Sequence, residues 1–340
     1  MNILQSWEQF VLLAKGMHLS ESGKWDEAES LCSKILEYSK TNNDIYLQSH
    51  TLLQLGRLCC NRGKFQKAIE IYEQGLKCIE LNNDLALQGM LYSDIGEAYS
   101  GLGIYSKAII YFEKSLIIHT NRASEADIAV EHGNLGMAFL RMREYEKSLE
   151  FINKAIDFNI KYGRDKSLAK EYGNLGILYR ALGKYELATE YCLKSIKITE
   201  KMDDAHTSAI QYITLGSISA DIRNYEKAIY WYQKALVIMK QIGDEAAEAT
   251  IYSNLSGIYA ALNDLNKAIE YSQNALKLLE ITGDLYTSAY QYFNLGQIHI
   301  LLGDYDKANN YFYKAKDLFE TVGDEQFKLE VIKFIEQLGY

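Results

Sequence analysis

A glycine recurs at intervals of 40 residues along almost the whole of this 340-residue chain. The series runs through Gly16, Gly56, Gly96, Gly136, Gly176, Gly216 and Gly296, and Ser256 stands in its one gap. A fixed period of this length is typical of a solenoid, in which each repeat buries its apolar face against its neighbours. Eight such repeats account for nearly all of the chain, so little is left for a second domain.

Each repeat has the sequence pattern of two amphipathic helices. In residues 44–83, apolar side chains of the first helix follow the i, i+3, i+4, i+7 spacing of a buried face, as in Leu52, Leu55, Leu58 and Cys59. Asp44 is expected to cap this helix and Gly63 to end it in the left-handed conformation. The same pairing of a stop residue with an aspartate cap recurs at Asn83–Asp84, Gly243–Asp244, Gly283–Asp284 and Gly323–Asp324. The absence of proline suits a chain that is nearly all helical.

Small residues mark where the two helices of a repeat are expected to cross. Twelve residues after each glycine position stands an alanine, or a serine at Ser148. Glycine on the first helix and alanine on the second would let the two backbones approach closely.

Composition excludes several classes of partner. The net charge is −9, which argues against nucleic acid because phosphate binding needs clustered Lys and Arg. No apolar run is long enough for a transmembrane helix, and the N-terminal MNILQSWEQF has no signal-peptide core. We expect a cytoplasmic protein with neither nucleic acid nor membrane among its partners.

The five cysteines are odd in number and do not form a CxxC motif. They therefore fit neither a disulfide framework nor a zinc site and are expected to be small core residues. A redox or metal role stays open for the adjacent pair Cys59 and Cys60.

The order of residues within each repeat resembles the tetratricopeptide repeat family. The family's order of aromatic, Leu-Gly, aromatic, Gly, aromatic and Ala is present in residues 172–188, as Tyr172, Leu175–Gly176, Tyr179, Gly183, Tyr185 and Ala188. The family unit usually has 34 residues and often ends in proline, whereas this one has 40 and no proline. This longer form resembles the repeats of Pins-type spindle-orientation adaptors, kinesin light chains and bacterial peptide-sensing regulators.

The resemblance implies an all-α fold, a right-handed superhelical solenoid of helix-turn-helix repeats. We expect eight repeats in one continuous solenoid over residues 1–324, followed by a C-terminal capping helix within residues 325–340, from about Glu325 to Leu338.

The resemblance also implies a peptide-binding groove lined by the first helices. Two residues before the glycine position the chain carries mainly amides, and an amide can both donate to and accept from a peptide backbone. The amides could instead bond across repeats and hold their register. The predicted groove residues are Gln54, Arg57, Asp94, Glu97, Asn134, Arg141, Lys170, Asn174, Arg180, Asn254, Tyr290, Phe293 and Asn294.

Charge divides this predicted groove into segments. Asp94 and Glu97 make the third repeat acidic, and Arg141, Lys170 and Arg180 make the fourth and fifth basic. Opposite signs in consecutive segments indicate a partner with acidic residues over the basic part, although scattered surface charge is the alternative. The last two repeats would add an apolar trough if their side chains are exposed: Ala260, Ala261, Tyr290, Phe293, Ile300 and Leu301.

Two more specific functions find little support. The clamp with which chaperone-binding repeats hold a C-terminal carboxylate would match at Asn134 and Lys170, but Ser93, Glu97 and Asn174 depart from it. Catalysis has no recognisable motif, because the six histidines are scattered and there is no HExxH, nucleophile elbow or P-loop. We therefore predict no enzyme activity, no catalytic or metal site and no cofactor.

The sequence predicts a non-enzymatic scaffold that binds a peptide or tail segment of another protein, one with acidic residues, in the concave groove. The alternative is a receptor whose superhelix changes pitch when it binds a short signalling peptide.

Overall fold

The computed structural model describes residues 3–21 and 24–337, and these ranges form seventeen α-helices. The helices of the first half are α1 (Ile3–Glu21), α2 (Trp25–Thr41), α3 (Ile45–Asn61), α4 (Phe65–Asn82), α5 (Leu85–Gly101), α6 (Tyr105–Asn121), α7 (Glu125–Arg141), α8 (Tyr145–Lys161) and α9 (Asp165–Ala181). Those of the second half are α10 (Tyr185–Lys201), α11 (Ala205–Asp221), α12 (Tyr225–Ile242), α13 (Glu245–Ala261), α14 (Leu265–Thr282), α15 (Leu285–Leu301), α16 (Tyr305–Val322) and α17 (Glu325–Gln337). The all-α prediction of eight helix pairs and a final helix is confirmed.

The predicted stop and cap residues lie where the sequence puts them. Asp44 accepts a hydrogen bond from the Leu47 amide at 3.0 Å, and Asp84 does the same for Leu87. Asn83 has φ +54° and Gly243 has φ +78°, so each ends a helix in the left-handed region. Side chain and backbone together thus fix the short connections between successive helices.

Helix contacts divide the described chain into two compact units, residues 1–178 and residues 179–340. In the first unit, neighbouring helices pack in chain order from α1 to α8, and in the second from α10 to α17. First helices of successive repeats also contact each other (α1 with α3, α3 with α5, α5 with α7, α11 with α13, α13 with α15). Second helices do not make comparable contacts within residues 3–21 and 24–337. The first helices therefore form the inner layer of each unit. A single continuous solenoid over residues 1–324 and its right-handed superhelix stay predictions.

The recurring glycine accommodates a large side chain of its own repeat. A Cβ at Gly216 would lie 2.7 Å from the ring of Tyr232, and one at Gly96 would lie 2.5 Å from the ring of Phe112. Each of these rings stands sixteen residues after its glycine. The alanines twelve residues after the glycine are fully buried, as predicted. The small residues were predictable from the sequence, but the ring that fills the space beside the glycine was not predicted.

In the one repeat that lacks the glycine, the residue sixteen positions later also differs from the other repeats. Ser256 replaces the glycine and Ser272 replaces the ring sixteen residues later. The two hydroxyl oxygens lie 2.7 Å apart, and Ser256 also donates to the Ala268 carbonyl at 2.8 Å. A small polar pair thus replaces the contact between glycine and ring.

The final helix covers the end of the second unit. Val331 and Ile335 of α17 are buried in a cluster with Phe293, Phe312 and Phe319. The Phe327 ring lies 4.8 Å from Tyr290 and 5.6 Å from Phe319, measured between ring centroids. This helix has the predicted capping position over its described length, and residues 338–340 lie outside the described residues.

All five cysteines are free, and Cys60 alone is more than marginally exposed. Burial raises the pKa of Cys32 to about 11 and that of Cys192 to about 12, which suits inert core thiols. In the described part of the chain, no three His, Cys, Asp or Glu side chains are placed to hold a metal ion. Over the same residues, no helix is both long and apolar enough to cross a bilayer.

Candidate functional site

The inner layer of the first unit carries most of the predicted groove residues. The amide column two residues before the glycine is only partly accessible: Gln54 and Asn134 are half-buried, and Asn174 is buried. Asn174 donates to the Glu171 carboxylate at 2.9 Å, one turn earlier on α9. At this position the amide therefore has a partner within its own helix. Asn254 and Asn294, in the second unit, are half-buried.

Asp94 is not a free acidic group, because Arg57 pairs with it. Arg57 on α3 donates to Asp94 on α5 from Nε at 2.6 Å and from Nη2 at 3.3 Å. Asp94 is 8% exposed, and burial raises its pKa even though the Arg57 hydrogen bonds act in the opposite direction. The expectation that Asp94 gives the third repeat an open acidic surface is thus corrected. The pair instead joins the first helices of two successive repeats.

Arg180 also has an internal partner that the sequence analysis did not anticipate. In the second unit it donates to Asp221 of α11, from Nε at 2.7 Å and from Nη2 at 3.2 Å. A bidentate pair of this kind already satisfies much of the donor capacity of the guanidinium. Arg180 is therefore a weaker candidate for partner contact than the sequence suggested.

Glu97, Asn134 and Arg141, three of the predicted residues, line one pocket of the first unit. The pocket has a volume of about 320 Å³ and lies between α5, α6 and α7. Its other lining residues are Ser100, Tyr105, Phe112, Met137 and Ala138. Asn134 and Arg141 are seven residues apart on α7, which places them about two turns apart on one face. The pocket therefore combines an apolar floor with an amide, a carboxylate and a guanidinium.

The charges around this pocket are of both signs. Burial raises the pKa of Glu97, with the Asp94 charge adding to the effect and the cations of Lys170 and Arg57 opposing it. Lys170 and Arg141 are exposed. Neither has a carboxylate within ion-pair distance among the residues that the structure describes. These two cations, unlike Arg57 and Arg180, are open to an external partner.

The predicted apolar trough of the last repeats is largely closed. Phe293 is 9% exposed, and its ring lies 5.2 Å from that of Phe334 in α17. Tyr290 contacts Phe327 of the same helix. Of the other apolar side chains, Leu301 is 67% exposed and Ile300 is half-buried. Tyr290 and Phe293 therefore pack against the capping helix, so the exposure on which the predicted trough depends is not met at these two residues.

A buried polar group on one of the pocket's helices, α7, was not predicted from the sequence. Glu131, three residues before Asn134, is 1% exposed and contacts Ser115 of α6. Glu171 occupies the same repeat position on α9 and is 3% exposed. Two glutamates at a position where other repeats carry Leu91 and Ile251 were a readable signal, since carboxylates are rarely buried without a partner.

Solved structures with the same fold include a quorum sensor, a gene regulator in complex with a peptide and a phosphatase. The apo quorum sensor NprR from B. thuringiensis is 19% identical, with a TM-score of 0.66 over 92% of this chain and 87% of that one. The Rap conjugation gene regulator of plasmid pLS20, in complex with the Phr* peptide, is 16% identical, with a TM-score of 0.67 over 95% of each chain. Aspartyl phosphate phosphatase F from Bacillus subtilis is 16% identical, with a TM-score of 0.64 over 85% of this chain and 75% of that one. At these identities the likeness shows the fold alone.

A search of curated proteins finds no match. A family model, by contrast, does match the sequence. The sequence model of the tetratricopeptide repeat matches residues 8–80, 47–121, 126–201, 206–281 and 249–321. These matches cover most of the chain, and they agree with the paired helices and the 40-residue register. The chain therefore belongs to the tetratricopeptide repeat family.

Proposed function

We propose that this protein is a non-enzymatic interaction protein that holds an extended segment of a partner protein against the inner layer of its first unit. The segment crosses α5, α7 and α9, with acidic side chains over Arg141 and Lys170. Its backbone contacts the amide of Asn134.

The observation that carries the proposal is the difference between paired and unpaired cations on the first helices. Arg57 and Arg180 each form a bidentate pair, whereas Arg141 and Lys170 have no ion-pair partner in the described chain. A charge-assisted hydrogen bond to such groups contributes about 1.5–3 kcal/mol. Unsatisfied donors on an inner face are therefore suited to a ligand that brings acceptors.

Glu97 gives the proposed site a direction. It lines the same pocket as Arg141 but lies on α5 rather than α7. A uniformly acidic segment would be repelled at Glu97, so the favoured segment carries a neutral or basic side chain there and an acidic one over Arg141. Alternation of this kind fixes the register of a bound segment more than it adds affinity.

A receptor for a short peptide is the second candidate, favoured by two of the solved structures that share the architecture. One of them is described as a quorum sensor and another as a regulator in complex with a peptide. A receptor compacts when a peptide of a few residues binds, whereas a scaffold keeps its radius of gyration. Small-angle scattering with and without the bound peptide distinguishes the two.

The side-chain chemistry of the described residues supports a binding role over an enzymatic one. Burial lowers the pKa of His132 and His299 and raises the pKa of all five cysteine thiols. A catalytic thiol needs the opposite shift, and a general base needs access to its substrate.

The proposal is tested by selecting ligands from a random peptide library displayed on phage. The wild type is expected to enrich peptides with Asp or Glu at a fixed position, and the variant Arg141→Glu with Lys170→Glu is expected to lose that enrichment. The matched control changes Lys77 and Lys197 to Glu, since both are exposed on second helices. Enrichment that is the same for all three proteins, or that shows no acidic preference, contradicts the proposal.

A further inference from the structure

Glu131 is a buried carboxyl group without a cation. It is 1% exposed on α7, and no ion pair reaches it from the residues that the structure describes. Its Oε1 lies 3.0 Å from Ser115 Oγ on α6, while its Oε2 has no hydrogen-bond partner within those residues. An ionised carboxylate in such a place carries a large desolvation cost, and no ion pair within the described residues offsets it.

Counting hydrogens at Ser115 shows which form of Glu131 fits. The Ser115 hydroxyl oxygen lies 2.9 Å from the Gly89 carbonyl and 3.0 Å from the Glu131 carboxyl. A hydroxyl group has one hydrogen, and a backbone carbonyl can only accept. If Ser115 donates to Gly89, the contact with Glu131 needs a second hydrogen, and only a protonated Glu131 supplies it.

The protonated form completes a chain across three helices. Glu131 on α7 donates to Ser115 on α6, and Ser115 donates to the Gly89 carbonyl on α5. In the ionised form, Glu131 competes with the Gly89 carbonyl for the one Ser115 hydrogen, while its own Oε2 stays buried without a hydrogen-bond partner in the described chain. Such an acceptor is destabilising because it has lost its water without gaining a partner.

We propose that Glu131 is a proton-binding site of the first unit, neutral in the packed structure, whose ionisation weakens the packing of α5, α6 and α7. These are the helices that form the pocket of Glu97, Asn134 and Arg141. The proposal concerns a response of the fold to pH and stands independently of which partner binds there.

The electrostatic surroundings of Glu131 agree with the neutral form. Burial raises the pKa of Glu131 to about 7, opposed by the polar side chains of Ser93, Ser115 and Asn134 and reinforced by the Glu97 charge. Among the ionisable groups of these helices and their neighbours, the Glu97 charge on α5 acts on Glu131. Others include His119 on α6, Asp127 and His132 on α7, Glu150 and Lys154 on α8, and Lys170 and Glu171 on α9. Burial lowers the pKa of His119, so this histidine supplies little positive charge near neutral pH.

The direction of the pH effect follows from linkage. The ordinary pKa of a glutamate is 4.5, and in the folded protein that of Glu131 is raised to about 7. The folded state therefore holds this proton over a range in which the unfolded state has released it. Stability falls as the pH rises from the unfolded pKa to the folded one, and this contribution is constant above that.

The test is urea unfolding of the full chain between pH 5 and pH 8, comparing the wild type with Glu131→Gln. Glutamine keeps the shape and can donate to Ser115 but cannot ionise. We expect the folding equilibrium constant of the wild type to fall by about tenfold to a hundredfold more than that of the variant over this range. The control is Glu97→Gln, which removes one of the charges that raise the Glu131 pKa, so the difference due to Glu131 is expected to become smaller but to persist. Equal pH dependence in the wild type and Glu131→Gln would overturn the proposal.

A measurement on the unmodified residue covers the case in which the variant fails to fold. In protein labelled at the glutamate carboxyl carbon, one resonance is expected to titrate near pH 7 and to persist in Glu97→Gln and in Glu171→Gln. If every glutamate that persists in both variants titrates near its ordinary pKa, Glu131 is ionised in the folded state and the proposal is wrong.

Discussion

At the residue scale, the glycine that defines the repeat acts through the space it leaves for a ring. Tyr232 is 1% exposed, packs against Gly216 and shares a hydrogen bond of 2.9 Å with Ser217. Because the Tyr232 ring is packed and its hydroxyl is hydrogen-bonded, this side chain has little freedom to move aside. Packing against this ring, and not the backbone conformation, therefore limits the size of the side chain that the glycine position can hold.

This constraint gives a direct prediction for two glycines of the second unit. Gly216→Ala is expected to destabilise the protein by about 1–3 kcal/mol, because the added methyl group overlaps the Tyr232 ring. Gly257→Ala is the matched control, since nothing lies within 4 Å of a Cβ at that helical position. It is expected to be neutral or to stabilise by about 0.5–1 kcal/mol through helix propensity. Urea unfolding measures both, and equal effects would contradict this account.

At the element scale, α17 shows how a terminal helix closes a repeat unit. Val331 is 1% exposed against the aromatic cluster of the last repeat, whereas Leu329 of the same helix is 56% exposed. The two faces of this helix therefore differ in their contribution to the stability of the unit, although both carry apolar side chains.

A charge placed on either face separates these contributions. Val331→Asp is expected to cost about 3–5 kcal/mol, because it buries an uncompensated charge among phenylalanine rings. Leu329→Asp is expected to change stability by less than about 0.5 kcal/mol, since that position is in water. Thermal unfolding followed by circular dichroism compares the two. Equal midpoints would mean that α17 does not close the unit.

The elements were predictable from the sequence because each is set by local residues. Asp44 and Asn83 specify helix ends through contacts within a few residues, and the 40-residue register specifies how the pairs repeat. The partners of Arg57 and Arg180 were not predictable in this way. Those contacts join residues 37 and 41 positions apart, so they depend on how one repeat is placed against the next.

The candidate site was predictable in part for the same reason. Glu97, Asn134 and Arg141 were identified from their repeat positions, and the structure brings them into one pocket. Tyr290 has the same repeat position as Lys170 but packs against Phe327 of α17, which no repeat pattern could reveal because α17 occurs once. The register predicts which face a residue occupies, but not what covers that face.

At the scale of the whole molecule, a net charge of −9 sets the background against which the two free cations act. An acidic protein repels acidic ligands at long range, so binding an acidic segment depends on local cations rather than on the overall field. Within the first unit, Arg141 and Lys170 supply that local charge. Salt weakens both interactions. Weakening the attraction to Arg141 and Lys170 lowers the affinity for an acidic segment, whereas weakening the long-range repulsion raises it.

The central claim is that Arg141 and Lys170 hold acidic side chains of a bound segment, and calorimetry with a selected acidic peptide tests it most directly. Changing both residues to Glu is expected to weaken binding at least about tenfold, a loss of about 1.4 kcal/mol, because two charge-assisted contacts become repulsive. The double change of Lys77 and Lys197 to Glu is expected to leave the affinity within about twofold, and helicity should be the same in all three proteins. If Arg141→Glu with Lys170→Glu binds the peptide as tightly as the wild type, the binding site lies elsewhere and the account is wrong.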